Sequence, residues 1–191
     1  MNKNIVILIS GRGSNMLAIA RNVQSGLLKD KCQIAAVFSN NPDAEGLAAA
    51  RNLGIPTCCI PSAGVKKQVY NRLLLNWLQK TGPDLIVLAG YMKILSPEIV
   101  RAFPGRIINI HPADTALHQG LHGYEWAWHE KLPATRVTVH FVDEGLDTGK
   151  IIAQQEVDLT GASDLIEVEE RGLRVEHQLY SRVIRDLLNR L

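Results

Sequence analysis

Residues 4–110 alternate short β-rich apolar runs with longer helical ones, and this alternation restricts the fold more than any other feature of the chain. Strands are predicted at residues 4–10, 33–39, 57–60, 85–89 and 106–110. Helical patterns between them cover residues 15–26, 42–53, 65–80 and 97–102. The first strand is apolar without strict alternation, as expected of a strand covered on both faces. Strands joined through helices need crossover connections, so a parallel sheet of right-handed βαβ units is predicted.

The remainder of the chain has a different pattern. Residues 135–142 alternate apolar and polar side chains, and residues 150–157 follow after a short glycine-rich connection, which predicts an antiparallel or mixed edge. A closing helix is predicted over residues 163–191, with an apolar stripe at helical spacing. The stripe is Leu165, Val168, Val175, Leu179, Val183 and Leu187. The expected fold is one doubly wound α/β domain spanning residues 1–191, with a mostly parallel sheet of about seven strands.

Composition and charge are those of a globular protein without a large charged face. Hydrophobic residues make up 46% of the 191 positions, and 21 basic against 19 acidic side chains leave a net charge of +2. No nucleic-acid or membrane partner is expected from this balance, although a local phosphate pocket is compatible with it. Cys32, Cys58 and Cys59 form no CxxC pair, so neither a disulfide framework nor a cysteine zinc site is expected. The N-terminal apolar run is too short to span a bilayer and lacks a cleavage site, so a cytoplasmic location is expected.

A glycine-rich loop, Gly11-Arg12-Gly13-Ser14-Asn15, joins the first predicted strand to the first helix. A helix N-terminus offers unpaired N–H groups and the positive end of a dipole, so this loop can bind an anion. The other interpretation is a tight turn capped by Ser14 or Asn15. Met16 stands where a dinucleotide fingerprint needs a third glycine, and no Lys-Ser/Thr pair of a P-loop follows. A monophosphate or phosphosugar is therefore the better fit.

The segment Asn109-Ile110-His111-Pro112 lies at the carboxyl end of a predicted central strand, where open α/β sheets bind ligands. Asn109 and His111 are two positions apart, so they share one face of the strand. An asparagine amide can donate to an oxyanion without titrating, and a histidine can carry a proton near neutral pH. A capped strand end with a structural histidine is the other interpretation.

An acidic turn over residues 143–149 connects the two late strands, so it can lie over the same edge of the sheet. Asp147 is placed to hold a histidine, and a nearby carboxylate would favour the protonated imidazole. The other interpretation is a solvated acidic turn. The segment has neither the length nor the ligand spacing of an EF-hand calcium loop.

His118, His122 and His129 raise the question of a zinc site, because the first two have i, i+4 spacing. Gly120 interrupts that pair, and no glutamate follows the first histidine as it does in a zinc-protease helix. No metal is expected.

Four segments occur in an order that is similar to a known family. They are GRGSN after the first strand, LAGYMKILS at residues 88–96, NIHP at residues 109–112 and VHFVDEGLDTG at residues 139–149. Together they resemble the phosphoribosylglycinamide formyltransferase family, folate-dependent enzymes of purine synthesis. The resemblance runs from Ile5 to the EHQLY segment at residues 176–180. It implies a Rossmann-like formyltransferase fold, with a phosphoribosyl-binding half over about residues 1–100 and a folate-binding, catalytic half over about residues 85–191.

The resemblance implies a reaction that moves a formyl group from 10-formyltetrahydrofolate, as co-substrate, to the amine of glycinamide ribonucleotide. Asn109, His111 and Asp147 match the catalytic trio of the family. Asn109 and protonated His111 would stabilise the oxyanion, and His111 would donate the proton. Asp147 would raise the pKa of His111 and order a water that carries protons.

The resemblance also assigns binding residues, in two sets. The phosphoribosyl set is Gly13, Ser14, Asn15 and Glu176, the last as an acid that contacts the ribose hydroxyls. The folate set is Lys67, Met92, Lys93, Ile94, Leu95 and Asn109. Lys67 stands where an arginine is expected, and a solvated helix residue is the other interpretation of this position. The implied partners are small-molecule substrates, and the protein is expected to be a monomer or homodimer.

The segment after His-Pro departs from the family. Its usual Ser-Leu-Leu-Pro and aromatic residue are replaced by ADTALHQG at residues 113–120, and Arg12 stands where asparagine is common. This segment borders the acceptor site, so the identity of the acceptor is less constrained than the chemistry.

Three alternatives follow from this departure. A sugar-nucleotide N-formyltransferase typically has additional C-terminal material, and a formyltetrahydrofolate hydrolase has an N-terminal regulatory domain; neither addition is expected in these 191 residues. The third alternative is a non-catalytic binding module. It is disfavoured because all three residues of the trio are present.

Overall fold

A computed structural model describes residues 2–190, in which seven strands form one sheet with helices against both faces. The strands are β1 (Lys3–Ile9), β2 (Cys32–Ser39), β3 (Thr57–Cys59), β4 (Leu85–Leu88), β5 (Ile107–His111), β6 (Ala134–Phe141) and β7 (Ile151–Asp158). The helices are α1 (Ser14–Ser25), α2 (Glu45–Asn52), α3 (Lys67–Thr81), α4 (Pro97–Ala102), α5 (Gly123–His129) and α6 (Leu165–Leu188).

The strand order is β3-β2-β1-β4-β5-β6-β7, which confirms the predicted fold class. The first five strands pair in parallel, whereas β6 is antiparallel to both β5 and β7. The chain leaves β1 in one direction to β2 and β3 and then crosses to β4 on its other side, so a topological switch point lies between β1 and β4. The loops that follow these two strands are joined there, since the Ser10 N–H donates to the Gly90 carbonyl at 3.0 Å.

The core lies in two layers, one on each face of the sheet. Alternate residues of β1 enter opposite layers, and all five residues from Ile5 to Ile9 are fully buried. Helices α1, α2, α5 and α6 cover one face, and α3 and α4 cover the other. A strand covered on both faces loses its polar alternation, which explains why the first strand is an unbroken apolar run.

Helix α6 is anchored to the middle of the sheet through Tyr180. This side chain is fully buried, and its hydroxyl lies 2.8 Å from the Leu88 carbonyl oxygen and 3.1 Å from that of Ile108. The phenol thus joins α6 to β4 and β5, the two strands that carry the predicted site at their ends.

Several predicted helix boundaries are wrong by a few residues. Helix α2 begins at Glu45 and not at Pro42, because Asn41 accepts from the Asp43 N–H at 3.1 Å and holds the proline in a turn. Helix α6 begins after Asp164, whose carboxylate caps the Glu167 N–H at 2.8 Å. The predicted end at residue 191 lies outside the described residues.

Helix α5 was not predicted, because its seven residues are too few to show a clear period. Within residues 2–190, no helix is long and apolar enough to cross a membrane.

Candidate active site

The three side chains of the predicted trio converge at the carboxyl end of β5. Nδ1 of His111 lies 3.5 Å from Oδ2 of Asp147, and Nδ2 of Asn109 donates to Oδ1 of the same carboxylate at 3.3 Å. His111 is only 3% exposed, so water screens this contact weakly. An amide, an imidazole and a carboxylate therefore meet in one shielded position, as the sequence indicated.

Asp147 reaches the trio because the connection between β6 and β7 is folded tightly. Oδ1 of Asp143 accepts from the Gly145 N–H at 3.0 Å and from the Thr148 hydroxyl at 2.8 Å. Asp147 itself has a φ of +52°, in the left-handed region. A Cβ at Gly149 would lie 1.7 Å from the carbonyl oxygen of Phe141, so only glycine lets the chain turn back here.

His140 is a fourth member of the site that the sequence reasoning missed. It pairs with Asn109 across β5 and β6, and its Nε2 lies 3.3 Å from Asn109 Nδ2 and 3.5 Å from Asp147 Oδ1. Its Nδ1 lies 2.8 Å from the Phe141 carbonyl, which can only accept, so Nδ1 donates this hydrogen bond. The sequence feature that could have identified His140 is its position in the alternating strand just before the acidic turn.

The backbone of residues 118–120 holds two members of the trio. The carbonyl of His118 accepts from Nε2 of His111 at 2.9 Å, and the N–H of Gly120 donates to Oδ2 of Asp147 at 2.9 Å. The His118 ring stacks on Trp126, with 4.9 Å between ring centroids and 13° between planes. The segment that departs from the family in sequence therefore contacts the trio through its main chain.

Burial decides the protonation of His111. It lowers the pKa of the imidazole below its usual range, and the opposing effects of Asp147 and the His118 carbonyl only partly offset it. Asp147 raises this pKa, as expected from the sequence, but the desolvation that outweighs it was not predicted. Burial also raises the pKa of Asp147, but hydrogen bonds from His140 and the Gly120 N–H outweigh it and hold that pKa below the usual value. The resting pair is a carboxylate beside a neutral imidazole.

A cavity of about 580 Å³ opens beside the trio, and Asn109, His111 and Asp147 line it. Four of its wall residues are large apolar side chains that stay exposed. They are Met92 (60% exposed), Ile94 (58%), Leu121 (59%) and Leu146 (47%). Apolar walls with a few polar groups at one end are typical of a small-molecule site.

All of the predicted folate residues except Lys67 line the cavity. Met92, Lys93, Ile94 and Leu95 line the cavity, with the Met92 N–H donating to Ser10 Oγ at 2.8 Å. Lys67 is exposed at the first position of α3 and is not among the lining residues of this cavity. Its role near the folate stays a prediction.

The start of α1 is not capped by Ser14 or Asn15, as the alternative interpretation of the glycine loop required. Gly13 is the N-cap of α1, with a φ of +77° and no side-chain cap, and Ser14 is the first helical residue. A Cβ at Gly13 would lie 3.0 Å from Cα of Gly46, so the loop packs closely on the start of α2. No side chain caps the start of α1, which suits an anion site.

Glu176 lies on α6 and is only 6% exposed. Its carboxylate accepts from the Tyr124 hydroxyl and, at 2.5 Å, from Asn15 Nδ2. Two of the predicted phosphoribosyl residues, Asn15 and Glu176, are therefore in direct contact.

The histidines considered as zinc ligands do not gather. His118 stacks on Trp126, and Nδ1 of His122 lies 2.8 Å from Oε1 of Glu125. Among the residues that the structure describes, no group of three or more histidine, cysteine, aspartate or glutamate side chains could hold a metal.

The switch-point crevice, the cavity and the buried trio define an α/β enzyme that binds its ligands at the carboxyl edge of a parallel sheet. A family profile described as formyl transferase matches residues 3–184. The phosphoribosylglycinamide formyltransferase of Escherichia coli is 39% identical over 182 residues, which cover 95% of this chain and 85% of that protein. That of Haemophilus influenzae is 39% identical over 188 residues, covering 96% and 86% of the two chains. The crystal structure of glycinamide ribonucleotide transformylase 1 from Symbiobacterium toebii has a TM-score of 0.92 and 33% identity, over 98% of this chain and 88% of that one. The chain belongs to the formyl transferase family and, within it, to the phosphoribosylglycinamide formyltransferases.

Proposed function

We propose that this enzyme transfers a formyl group from 10-formyltetrahydrofolate to the amine of glycinamide ribonucleotide. The observation that carries the proposal is the convergence of Asn109, His111 and Asp147 at one end of an apolar cavity. The formyltransferases to which the chain is similar support the same acceptor.

The cavity is assigned to the folate. Its apolar walls suit the flat face of a pterin, and the backbone of residues 92–95 offers donors and acceptors for the ring edge. Lys67 is assigned to the outer part of the folate from the family resemblance, since it does not line the cavity.

The acceptor is assigned to the opposite side of the trio. Its phosphate would lie at the start of α1, against Gly13 and Ser14, where no side chain caps the helix. Its ribose would lie near Asn15 and Glu176.

The chemistry follows from the neutral state of His111. The acceptor amine attacks the formyl carbon, and an N–H of Asn109 stabilises the oxyanion that develops. His111 takes up the proton that the amine loses and returns it to the folate nitrogen as that C–N bond breaks, so the proton count balances. Asp147, 3.5 Å from Nδ1, stabilises the imidazolium between these steps. Asn109 thus stabilises the developing oxyanion, and His111 carries the proton.

Further proposals concern the setting of the reaction. We infer a cytoplasmic enzyme with small-molecule substrates, active as a monomer or homodimer. The purine-synthesis context of the relatives supports this inference.

A spectroscopic assay with a 10-formylfolate donor tests the proposal by comparing three acceptors: glycinamide ribonucleotide, an amino-sugar nucleotide and water. The ribonucleotide is expected to give the highest kcat/KM by a wide margin. Preference for the sugar nucleotide would instead make residues 113–120 part of a different acceptor site. Turnover without any amine would identify a hydrolase.

A further inference from the structure

We infer that Tyr124 is a positioning residue of the acceptor site, which orients the carboxylate of Glu176 to receive two adjacent hydroxyl groups of the ligand. The inference rests on the proposed function, because it takes the acceptor to be a ribose phosphate. It adds a residue from α5, an element that the sequence did not predict and that the family resemblance does not assign.

Tyr124 and Asn15 hold the two oxygens of Glu176 separately. The Tyr124 hydroxyl donates to Oε1, and Asn15 Nδ2 donates to Oε2 at 2.5 Å. The three side chains come from α5, α1 and α6, and each is 6–7% exposed. A carboxylate held by one fixed donor on each oxygen cannot rotate freely, so its remaining acceptor directions are fixed.

Those remaining directions suit a vicinal diol. Each carboxylate oxygen can accept two hydrogen bonds, so one position on Oε1 and one on Oε2 remain after the two protein donors are counted. Two hydroxyls on neighbouring carbons can fill both positions in a bidentate manner. A 2-deoxy sugar can fill only one of them.

A second observation is an unpaired hydrogen-bond acceptor beside this carboxylate. Oδ1 of Asn15 is buried and has no hydrogen-bond partner among the described residues. Buried polar atoms are nearly always paired, so this atom lacks a donor that a ligand hydroxyl can supply. Asn15 lies in the first turn of α1, next to the proposed phosphate position. The diol and the phosphate of one sugar phosphate would therefore bind at adjacent positions.

Two glycines fix Tyr124 in place. A Cβ at Gly172 of α6 would lie 2.2 Å from Cζ of Tyr124, so the phenol ring fills the space above that glycine. A Cβ at Gly123 would lie 2.8 Å from the Pro112 carbonyl oxygen, so α5 presses directly against the end of β5. Tyr124 therefore contacts the acceptor carboxylate from a helix that packs against the end of the strand that carries His111.

The protonation states agree with this role. Burial, together with the neighbouring Glu176, raises the pKa of Tyr124, so the phenol remains a hydrogen-bond donor. Burial also raises the pKa of Glu176, while the hydrogen bonds from Tyr124 and Asn15 oppose that shift. Removal of the Tyr124 hydroxyl would therefore disturb both the orientation and the charge of the carboxylate.

The test measures binding and turnover separately, with Tyr124→Phe as the variant and Tyr180→Phe as the control. Tyr180→Phe also removes a buried hydroxyl, but one that is bonded to the backbone of β4 and β5. Calorimetry with ribose 5-phosphate and 2-deoxyribose 5-phosphate measures binding alone, because neither compound is turned over. The wild type is expected to bind the ribose compound about tenfold more tightly, and Tyr124→Phe is expected to lose most of that preference. Tyr180→Phe should keep it.

Kinetics with glycinamide ribonucleotide complete the test. Tyr124→Phe is expected to raise the KM for the acceptor about tenfold, while kcat and the KM for the folate change by less than about twofold. Equal binding of the two sugars by the wild type would overturn the inference even if the variant fails to fold. An unchanged acceptor KM in a folded Tyr124→Phe protein would also overturn it and leave the proposed function intact. Failure of the proposed function has a different signature, namely no turnover of glycinamide ribonucleotide by the wild type.

Discussion

The backbone N–H of Gly120 donates to Oδ2 of Asp147 at 2.9 Å, within the segment over residues 113–120 that lacks the usual residues of the family. The neighbouring carbonyl of His118 accepts from Nε2 of His111 at the same distance. Main-chain contacts do not depend on side-chain identity, so residues 113–120 can change composition while His111 and Asp147 keep these hydrogen bonds. This explains how an atypical loop and an intact trio occur together.

Removal of the negative charge of Asp147 should remove most of the activity. Asp147→Asn keeps the size of the side chain but leaves a His111 imidazolium without its counterion. We expect kcat/KM to fall about 10²- to 10⁴-fold, as for loss of a proton-transfer partner. The measurement is steady-state turnover of glycinamide ribonucleotide with a 10-formylfolate donor.

Glu144→Gln is the matched control, because it removes a carboxylate from the same connection. Glu144 forms an exposed ion pair with Arg101, with 2.7 Å between Nε and Oε1. Exposed pairs contribute little, so kcat/KM should stay within about threefold of the wild type. An Asp147→Asn enzyme as active as this control would show that the carboxylate has no part in the proton transfer.

The titration of His111 should lie below the usual histidine range. NMR of the ring Cε1–H is expected to give a midpoint under about 6.5, because burial opposes the charged form. Asp147 pulls this pKa upward, so Asp147→Asn should move the midpoint further down.

The lowered pKa of His111 also predicts how the stability of the protein depends on pH. A histidine whose pKa is lower in the folded protein than in the unfolded chain binds fewer protons when folded. Its contribution to the free energy of unfolding is therefore complete above about pH 6.5 and is lost as the pH falls toward the pKa of the folded protein. A midpoint above 6.5 would contradict the dominance of burial, and an upward shift in Asp147→Asn would contradict the upward effect of Asp147 on this pKa.

Sequence patterns predicted the fold and the positions of Asn109 and His111 because both depend on local signals. The unbroken apolar run of β1 showed burial on both faces, and Asn109 and His111 stood at a strand end where ligands bind. The patterns missed His140 and Tyr124, because their roles arise from pairing across β5 and β6 and from contact with Glu176 on α6. The effect of burial on the His111 pKa was also not predicted, since it depends on how deeply the completed fold buries the ring.

Gly149 should be among the most sensitive positions for stability. Its Cβ in Gly149→Ala would lie 1.7 Å from the Phe141 carbonyl, so the connection that carries Asp147 must shift. We expect the free energy of unfolding, measured by urea titration, to fall by about 1–3 kcal/mol. Gly11→Ala is the control, since a Cβ at Gly11 has no neighbour within 4 Å. Equal stabilities of the two variants would contradict the close approach at Gly149.

Lys67 should contribute modestly to folate binding through its charge. Lys67→Ala is expected to raise the KM for the folate by two- to fivefold, the effect of one exposed ion pair. Lys66→Ala is the control, because Lys66 is the neighbouring exposed lysine at the N-cap of α3. If the two variants have the same folate KM, Lys67 is simply a solvated helix residue.

The exposed apolar wall of the cavity should bind the folate rather than stabilise the protein. Ile94 is 58% exposed in the free protein, so its side chain has area left for a ligand to cover. Ile94→Ser is therefore expected to raise the KM for the folate about tenfold, because the transfer of that area from water is lost. Its melting temperature should match that of Ile166→Ser, a control at a residue that is 68% exposed on α6 and does not line the cavity. If Ile94→Ser leaves both the folate KM and the acceptor KM unchanged, the folate does not contact this wall.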